Sequence, residues 1–177
     1  IVKHMAAVTD PKAAGALMRS MLDYQGHPVT RTAMVLSALV FQRPGNVRAA
    51  EWSEIDLDGA MWTVPSAKIK RTVQAKISGR PHLIPLSTQA VELLRELQRL
   101  TGHGRYLFPS MLTGERCMSE NTINTALRRM GYSRDDMTAH GFRAMARTLL
   151  VERLGVHPDV IEAQLAHTKS GPLGAAY

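Results

Sequence analysis

The chain has 177 residues, 45% of them hydrophobic and 21% charged, which are the proportions of one globular domain with a buried core. Its longest apolar stretch, residues 32–41, is too short to cross a bilayer, and a single cysteine, Cys117, excludes an internal disulfide and favours a reducing, cytoplasmic setting. The net charge of +7 comes from sixteen arginines and six lysines against 15 acidic residues. Because arginine suits bidentate phosphate binding, this balance fits a polyanionic partner such as nucleic acid, but charge alone fits a soluble protein with a basic pI equally well.

The sequence predicts two long helices and one short helix in the first part of the chain. Thr-Asp-Pro at 9–11 is typical of a helix start, with a capping side chain and a proline in the first turn. A second helix is predicted at about 29–42. Pro-Gly at 44–45 breaks it and leaves Arg43 at the break, before a short helix over 47–51.

A small antiparallel sheet is predicted next. Asp-Gly at 58–59 is typical of a turn, 61–64 of a strand, 67–72 of its partner and 82–86 of a third strand. The polar, basic stretch 71–80 carries too much charge for a core strand, so we interpret it as a loop.

Helices return in the second half of the chain. One helix is predicted from Ser87 to Gly102 and another from Ser119 to Gly131. A third spans 140–154 and ends before Gly155. A fourth spans 158–166, with Val160, Ile161 and Leu165 facing inward. The predicted fold class is therefore mainly α (α+β): one helical domain over residues 1–177 with a small three-stranded antiparallel sheet. Because the chain begins with Ile1 rather than methionine, we expect it to be a fragment of a longer protein.

Several basic residues stand where they could bind a phosphate. His140 and Arg143 are three residues apart near a predicted helix start, so both face one side close to the positive end of the helix dipole. Taken singly, the pair is better explained as a surface histidine and a surface arginine, because His-x-x-Arg arises easily by chance in an arginine-rich chain. Arg43 can face a cleft or satisfy last-turn carbonyls, His167 can cap a helix, and Tyr177 can be a terminal aromatic.

The order of these residues is more specific than any one of them. Arginine, lysine on a strand or hairpin, His-x-x-Arg, histidine and then tyrosine resembles the tyrosine recombinase family of the integrase type. FQRPGNVR at 41–48 resembles that family's first arginine box, and EWSEID at 51–56 the segment leading into its sheet. HGFR at 140–143 and QLAH at 164–167 resemble the second and third boxes, and AAY at 175–177 resembles the nucleophile's context in integrases of prophages and genomic islands.

The resemblance implies a site-specific recombinase that cuts and rejoins DNA through a 3′-phosphotyrosyl intermediate, without a metal or other cofactor. It assigns Arg43 and Arg143 to the scissile phosphate. It assigns His140 and His167 to its oxygens and to proton transfer, and makes Tyr177 the nucleophile. The implied partners are double-stranded DNA attachment sites and other integrase subunits in a tetrameric synapse, in the cytoplasm of a bacterial host and away from any membrane.

The catalytic lysine is less sharply defined. By resemblance Lys70 takes that position, but the basic loop looks like a hairpin insertion, so Lys68 and Lys76 stay open. Asn46 stands where many relatives carry an acidic residue, three positions after the first arginine; its amide can still orient a neighbour. As an isolated fragment, the chain is expected to bind DNA weakly and to be weakly active or inactive.

Three other classes of function fit parts of the sequence. A metal-dependent nuclease would use the acidic residues that follow the first arginine box as magnesium ligands, namely Glu51, Glu54, Asp56 and Asp58. Their spacing mixes helix and turn, so we interpret them instead as a solvated acidic edge. A non-catalytic DNA-binding module would use Arg128, Arg129 and Arg134 as phosphate contacts. A type IB topoisomerase shares the recombinase chemistry, but the boxes here are closer to integrases.

Overall fold

The computed structural model describes residues 6–69 and 79–166 of the chain. Within these ranges lie seven α-helices, three strands and two single 3-10 turns. The helices are α1 Pro11–Leu22, α2 Pro28–Val40, α3 Pro44–Arg48, α4 Thr88–Thr101, α5 Thr122–Arg129, α6 Gly141–Glu152 and α7 Pro158–Gln164. The strands are β1 Ile55–Asp56, β2 Met61–Val64 and β3 His82–Pro85, and the 3-10 turns are Trp52–Glu54 and Ser66–Lys68. No helix in the described ranges combines the length and apolarity needed to span a membrane.

Helix α2 is the centre of the fold. It packs against α1, α3, α4, α5 and α6, and its central residues Ala33, Met34 and Leu36 are at most 1% exposed. The first predicted helix start is confirmed, because the Asp10 carboxylate caps α1 by accepting from the Ala13 amide at 2.8 Å. The mainly α class with one small antiparallel sheet is likewise confirmed.

Helix α3 differs from its prediction. The Pro-Gly pair at 44–45 starts this helix instead of only ending the previous one, so α3 covers Pro44–Arg48 and not 47–51. The reason is that a proline at the first helical position loses an N–H that would have no partner there. Arg43 becomes the N-cap residue, and its carbonyl accepts from the amides of Asn46 and Val47.

The sheet has the order β1-β2-β3 with both pairs antiparallel. The strands at 61–64 and 82–86 are confirmed, but the prediction of a partner strand at 67–72 is wrong for its described residues, 67–69. Its first residues belong to the 3-10 turn Ser66–Lys68, and β1 pairs with β2 in its place. The chain turns after Pro65, and Ile69 buries its side chain to 1% exposure. Residues 70–72, and most of the predicted loop 71–80, lie outside the described residues.

The later helices follow the predicted order with shifted ends. Ser87 caps α4 by accepting from the Ala90 amide at 3.2 Å. Ser119 does not cap α5; its hydroxyl accepts from the Asn121 amide in the preceding turn. In α7, Ile161 is buried as predicted, whereas Val160 is 60% exposed because it lies on the solvent side of the helix.

Gly141 begins α6 where the N-terminal segment crosses it. A Cβ at this position would lie 2.3 Å from the carbonyl oxygen of Ala6 and 2.9 Å from the Met137 sulfur. The lack of a side chain therefore allows the close approach that sets the start of the His140–Arg143 turn.

Candidate active site

Arg143 ties three parts of the chain together. It lies in the first turn of α6 and is 8% exposed. Its Nη1 donates to the carbonyl of Phe41 at 3.1 Å and its Nη2 to that of Leu165 at 2.9 Å. Phe41 adopts a left-handed backbone conformation, φ 40°, a strained state for a bulky residue that reverses the chain between α2 and α3. The guanidinium therefore links the end of α2 to the end of α7.

Arg43 lies beside this group. Burial and, after it, the charge of Arg43 lower the pKa of Arg143 to about 10, whereas Glu162 opposes the shift. Arg43 is half-buried and stands two residues after Phe41, whose carbonyl Arg143 binds. Two guanidiniums held this near repel each other, and an anion bound beside them would relieve the repulsion.

His140 completes the described part of the site. It is exposed, immediately precedes α6, and shares a pocket of about 360 Å³ with Pro44 and Gly45 of the α3 turn. Although Arg43 and His140 are 97 positions apart in the sequence, the structure brings Arg43, His140 and Arg143 to one region. The other predicted site residues, Lys70, His167 and Tyr177, lie outside the described residues, as does Lys76.

The last turn of α7 is held by side chains that the sequence analysis missed. The carbonyl of Gln164 accepts from Gln42 Nε2 at 2.6 Å and lies 3.0 Å from His82 Nε2. Gln42 is 2% exposed and also donates to the carbonyl of Val40. Its position inside the first arginine box, as a polar residue closing an apolar helix, was the available signal. The carbonyls of Gln164 and Leu165 are thus bound by side chains from three separate segments of the chain.

Lys68 is fully engaged in a cluster of charges. Its Nζ donates to the carbonyl of Ala49 at 2.9 Å, to Glu51 Oε1 at 2.8 Å, and to Glu54 Oε1. Glu51 also accepts two hydrogen bonds from Arg105, at 2.9 and 3.1 Å. The hydrogen bonds from Arg105 and then Lys68 lower the pKa of Glu51 to about 2.

The acidic residues do not form one edge. Asp56 and Asp58 are exposed as expected, the first closing a turn with Gly59 and the second pairing with Arg95. For Glu51 and Glu54 the interpretation as a solvated edge is wrong: Glu54 is 8% exposed, and both carboxylates bind Lys68. In residues 6–69 and 79–166, no group of three or more His, Cys, Asp or Glu side chains is placed to hold a metal ion.

A polar groove leads away from the site along α5. The 360 Å³ pocket continues into a second one of about 590 Å³, and Asn121, Asn124 and Thr138 line both. Arg128 and Arg134 line the second pocket. Arg128 donates to the carbonyls of Asn124 and Met137, and its Nη1 is buried without a partner in the described part of the chain. The groove therefore offers amide and guanidinium donors beside the His140 pocket.

Comparison with known proteins places this arrangement in a class. The fold matches that of the XerA recombinase over 96% of this chain and 57% of that one, with a TM-score of 0.69 and 18% identity. It matches the lambda integrase catalytic core over 96% and 95%, with a TM-score of 0.64 and 20% identity. These likenesses establish the fold of a tyrosine recombinase catalytic domain.

The sequence comparisons give the family. The phage integrase family model matches residues 8–177. The integrase of Enterobacteria phage P4 is 36% identical over 181 residues, covering 99% of this chain and 41% of the relative. Prophage integrase IntA of Escherichia coli K12 is 33% identical over 175 residues, covering 99% and 40%. The chain belongs to the phage integrase family, and it spans about two fifths of the length of these relatives.

Proposed function

We propose that the chain is the catalytic domain of a longer site-specific integrase, which cleaves and rejoins DNA strands through a covalent 3′-phosphotyrosine. The observation that carries the proposal is that His140 and the α3 turn next to Arg43 line one open pocket, while Arg143, three residues after His140, binds the carbonyl of Phe41, two residues before Arg43. Family membership and the order of the boxes support the same reaction.

The two guanidiniums act on the phosphate. A phosphodiester carries one negative charge, and attack on phosphorus adds a second in the transition state. Fixed donors from Arg43, Arg143, His140 and His167 stabilise that added charge better than water can. Removing one such donor typically raises a barrier by about 3–4 kcal/mol, roughly a hundred- to thousandfold in rate.

Tyr177 is the proposed nucleophile and Lys70 the proposed general acid. The phenol oxygen passes its proton to one of the two histidines, His140 or His167, and bonds to phosphorus, and the bond from phosphorus to the 5′ oxygen breaks. That oxygen takes a proton from the lysine ammonium and leaves as a 5′-hydroxyl. A tyrosine, with a reference pKa of about 10, needs electropositive surroundings to attack near neutral pH. Because the phosphotyrosine conserves the bond energy, resealing requires neither ATP nor a metal.

The proposed partners are double-stranded attachment-site DNA and further integrase subunits, in the cytoplasm of a bacterial host. The groove along α5, with Asn121, Asn124, Arg128 and Arg134, extends the phosphate pocket in a direction that a DNA strand can follow. Structures with this fold include a lambda integrase dimer bound to a core site and a tetramer bound to a Holliday junction. These support DNA binding and tetramer formation by the present protein.

The test is to trap the covalent intermediate on a nicked suicide substrate. The longer protein in which we propose the chain to occur should form a DNA adduct that survives denaturation. Tyr177→Phe should form none while keeping DNA affinity in a gel shift. The adduct should form equally in EDTA. An adduct that persists in Tyr177→Phe, or a requirement for magnesium, would contradict the proposed chemistry, and unchanged function in Tyr177→Phe would indicate a non-catalytic DNA-binding module.

A further inference from the structure

We infer that Lys68 is a positioning residue and not the general acid: it fastens the C-terminal end of α3, and through it Arg43, to the turn that follows β2. This inference rests on the proposed function, since it assigns one of the three candidate lysines a place in that reaction. It concerns the cluster of Lys68, Glu51, Glu54 and Arg105, here called the lysine clamp.

The hydrogen bonds of the Lys68 ammonium argue against its donating a proton to the departing 5′ oxygen. A lysine ammonium has three N–H donors, and those of Lys68 meet the Ala49 carbonyl, Glu51 and Glu54. A departing 5′ oxygen would have to displace one of these acceptors before it could receive a proton. The side chain is 25% exposed and the two carboxylates are 15% and 5% exposed, so the acceptors lie on the protein side of the ammonium.

The charge balance of the lysine clamp opposes proton donation. Two carboxylates face two cations, Lys68 and Arg105. A neutral Lys68 would leave a single cation for two largely buried carboxylates, and an uncompensated buried charge is strongly destabilising. Burial by itself lowers the pKa of Lys68, but its hydrogen bonds with Glu51 and Glu54 outweigh this and raise it above the ordinary value. The two carboxylates therefore keep the Lys68 ammonium protonated.

The position of the clamp shows what it fixes. Ala49 is the C-cap of α3, a five-residue helix whose N-cap is Arg43, so the two ends are about 7–8 Å apart along the axis. On the other side, Glu54 accepts from Trp62 Nε1 at 2.9 Å, which anchors the clamp in β2. A shift of the sheet relative to α3 would therefore move Arg43, and a misplacement of about 1 Å in a catalytic group can slow a reaction roughly a hundredfold.

The experiment compares Lys68→Arg, Lys68→Met and Lys70→Met in the longer protein on two suicide substrates. One has the natural 5′ oxygen; the other has sulfur in its place, which leaves without a proton because a thiol pKa is about 8.5. Arginine keeps the charge and several donors but does not release a proton near neutral pH. We expect Lys68→Arg to cleave the oxygen substrate within about tenfold of the parental rate, and Lys68→Met to lose about a hundredfold on both substrates.

The ratio of the cleavage rates on the two substrates identifies the role of each lysine. Because Lys70 is the proposed general acid, the cleavage rate of Lys70→Met should be restored by the sulfur substrate. The cleavage rate of Lys68→Met should be reduced equally on the oxygen and sulfur substrates. Its DNA affinity should be unchanged and its rate at saturating DNA reduced. If Lys68→Arg loses the oxygen reaction and regains the parental rate with sulfur, Lys68 is the general acid and the inference is overturned. Should Lys68→Met not fold, Lys68→Arg alone decides. A parental protein that forms no adduct on either substrate would instead contradict the proposed function, and the inference with it.

Discussion

The side-chain amide of Gln42 donates to the main-chain oxygen of Gln164 at 2.6 Å, across 122 positions of sequence. The same amide donates to the carbonyl of Val40, so one buried side chain joins the last turns of α2 and α7. Arg143 makes a parallel connection between Phe41 and Leu165. The first arginine box and the third box are therefore joined through main-chain carbonyls.

Replacing Gln42 with leucine should destabilise the fold. The change leaves the Val40 and Gln164 carbonyls without this donor in a buried setting, which typically costs about 1–3 kcal/mol. The measurement is urea unfolding followed by circular dichroism. Gln89→Leu on α4, where the side chain is exposed, is the matched control and should change stability by less than about 0.5 kcal/mol. Equal effects of the two changes would show that the Gln42 bonds contribute nothing.

Replacing Arg143 with lysine should impair both folding and cleavage. A lysine keeps the charge but has no planar fork to reach the carbonyls of Phe41 and Leu165 together. We expect adduct formation on the suicide substrate to fall roughly a hundredfold or more, with a lower thermal midpoint. Arg147→Lys is the control, since its exposed pair with Glu162 contributes at most about 1 kcal/mol. Full activity in Arg143→Lys would contradict the proposed phosphate role.

Acid should weaken the fold partly through Glu51. Its pKa is lowered from 4.5 to about 2 in the folded chain, so the unfolded chain binds the proton more tightly. The stabilisation is present above about pH 5 and is lost as the pH falls toward 2. Glu51→Gln should flatten the dependence of the unfolding free energy on pH in this window. Arg105→Gln should move the pH range over which the stabilisation is lost to higher pH. Identical slopes for the parental chain and Glu51→Gln would refute this.

Replacing Gly141 with alanine should displace the N-terminal segment from α6. The added methyl would lie 2.3 Å from the Ala6 oxygen, a contact that main-chain atoms can relieve only by moving. The matched change is Gly15→Ala in α1, where the nearest atom is 3.5 Å away and a stabilisation of about 0.5–1 kcal/mol is expected. Opposite shifts of the thermal midpoint are therefore predicted, and a stabilising Gly141→Ala would be evidence against the close approach.

Local signals were sufficient for most helices and two strands, since capping residues, prolines and apolar spacing act over one or two turns. They failed where a partner lies far away in sequence. The strand at Ile55–Asp56 is two residues long and exists only because β2 pairs with it, so no periodicity could reveal it. Likewise, the burial of Glu54 depends on Lys68 and Trp62, which a count of acidic residues cannot show.

The candidate site was predictable as a set of residue types and not as contacts. The order of the boxes pointed to Arg43, His140 and Arg143, and the structure brings these three together. The sequence could not show that Arg143 donates hydrogen bonds to two carbonyls, or that Gln42 and His82 contact the last turn of α7. The roles of all six predicted site residues stay predictions, and Lys70, His167 and Tyr177 lie outside the described residues.

The nearness of Arg43 and Arg143 has a thermodynamic meaning. The native state tolerates an unfavourable concentration of positive charge, held in place by the carbonyls around Arg143 and by the packing of α2. The repulsion between the two positive charges opposes folding, and the packing of the core offsets it. A neutral ligand would leave this repulsion in place, so we expect the fold itself to favour an anion over a neutral molecule at this point.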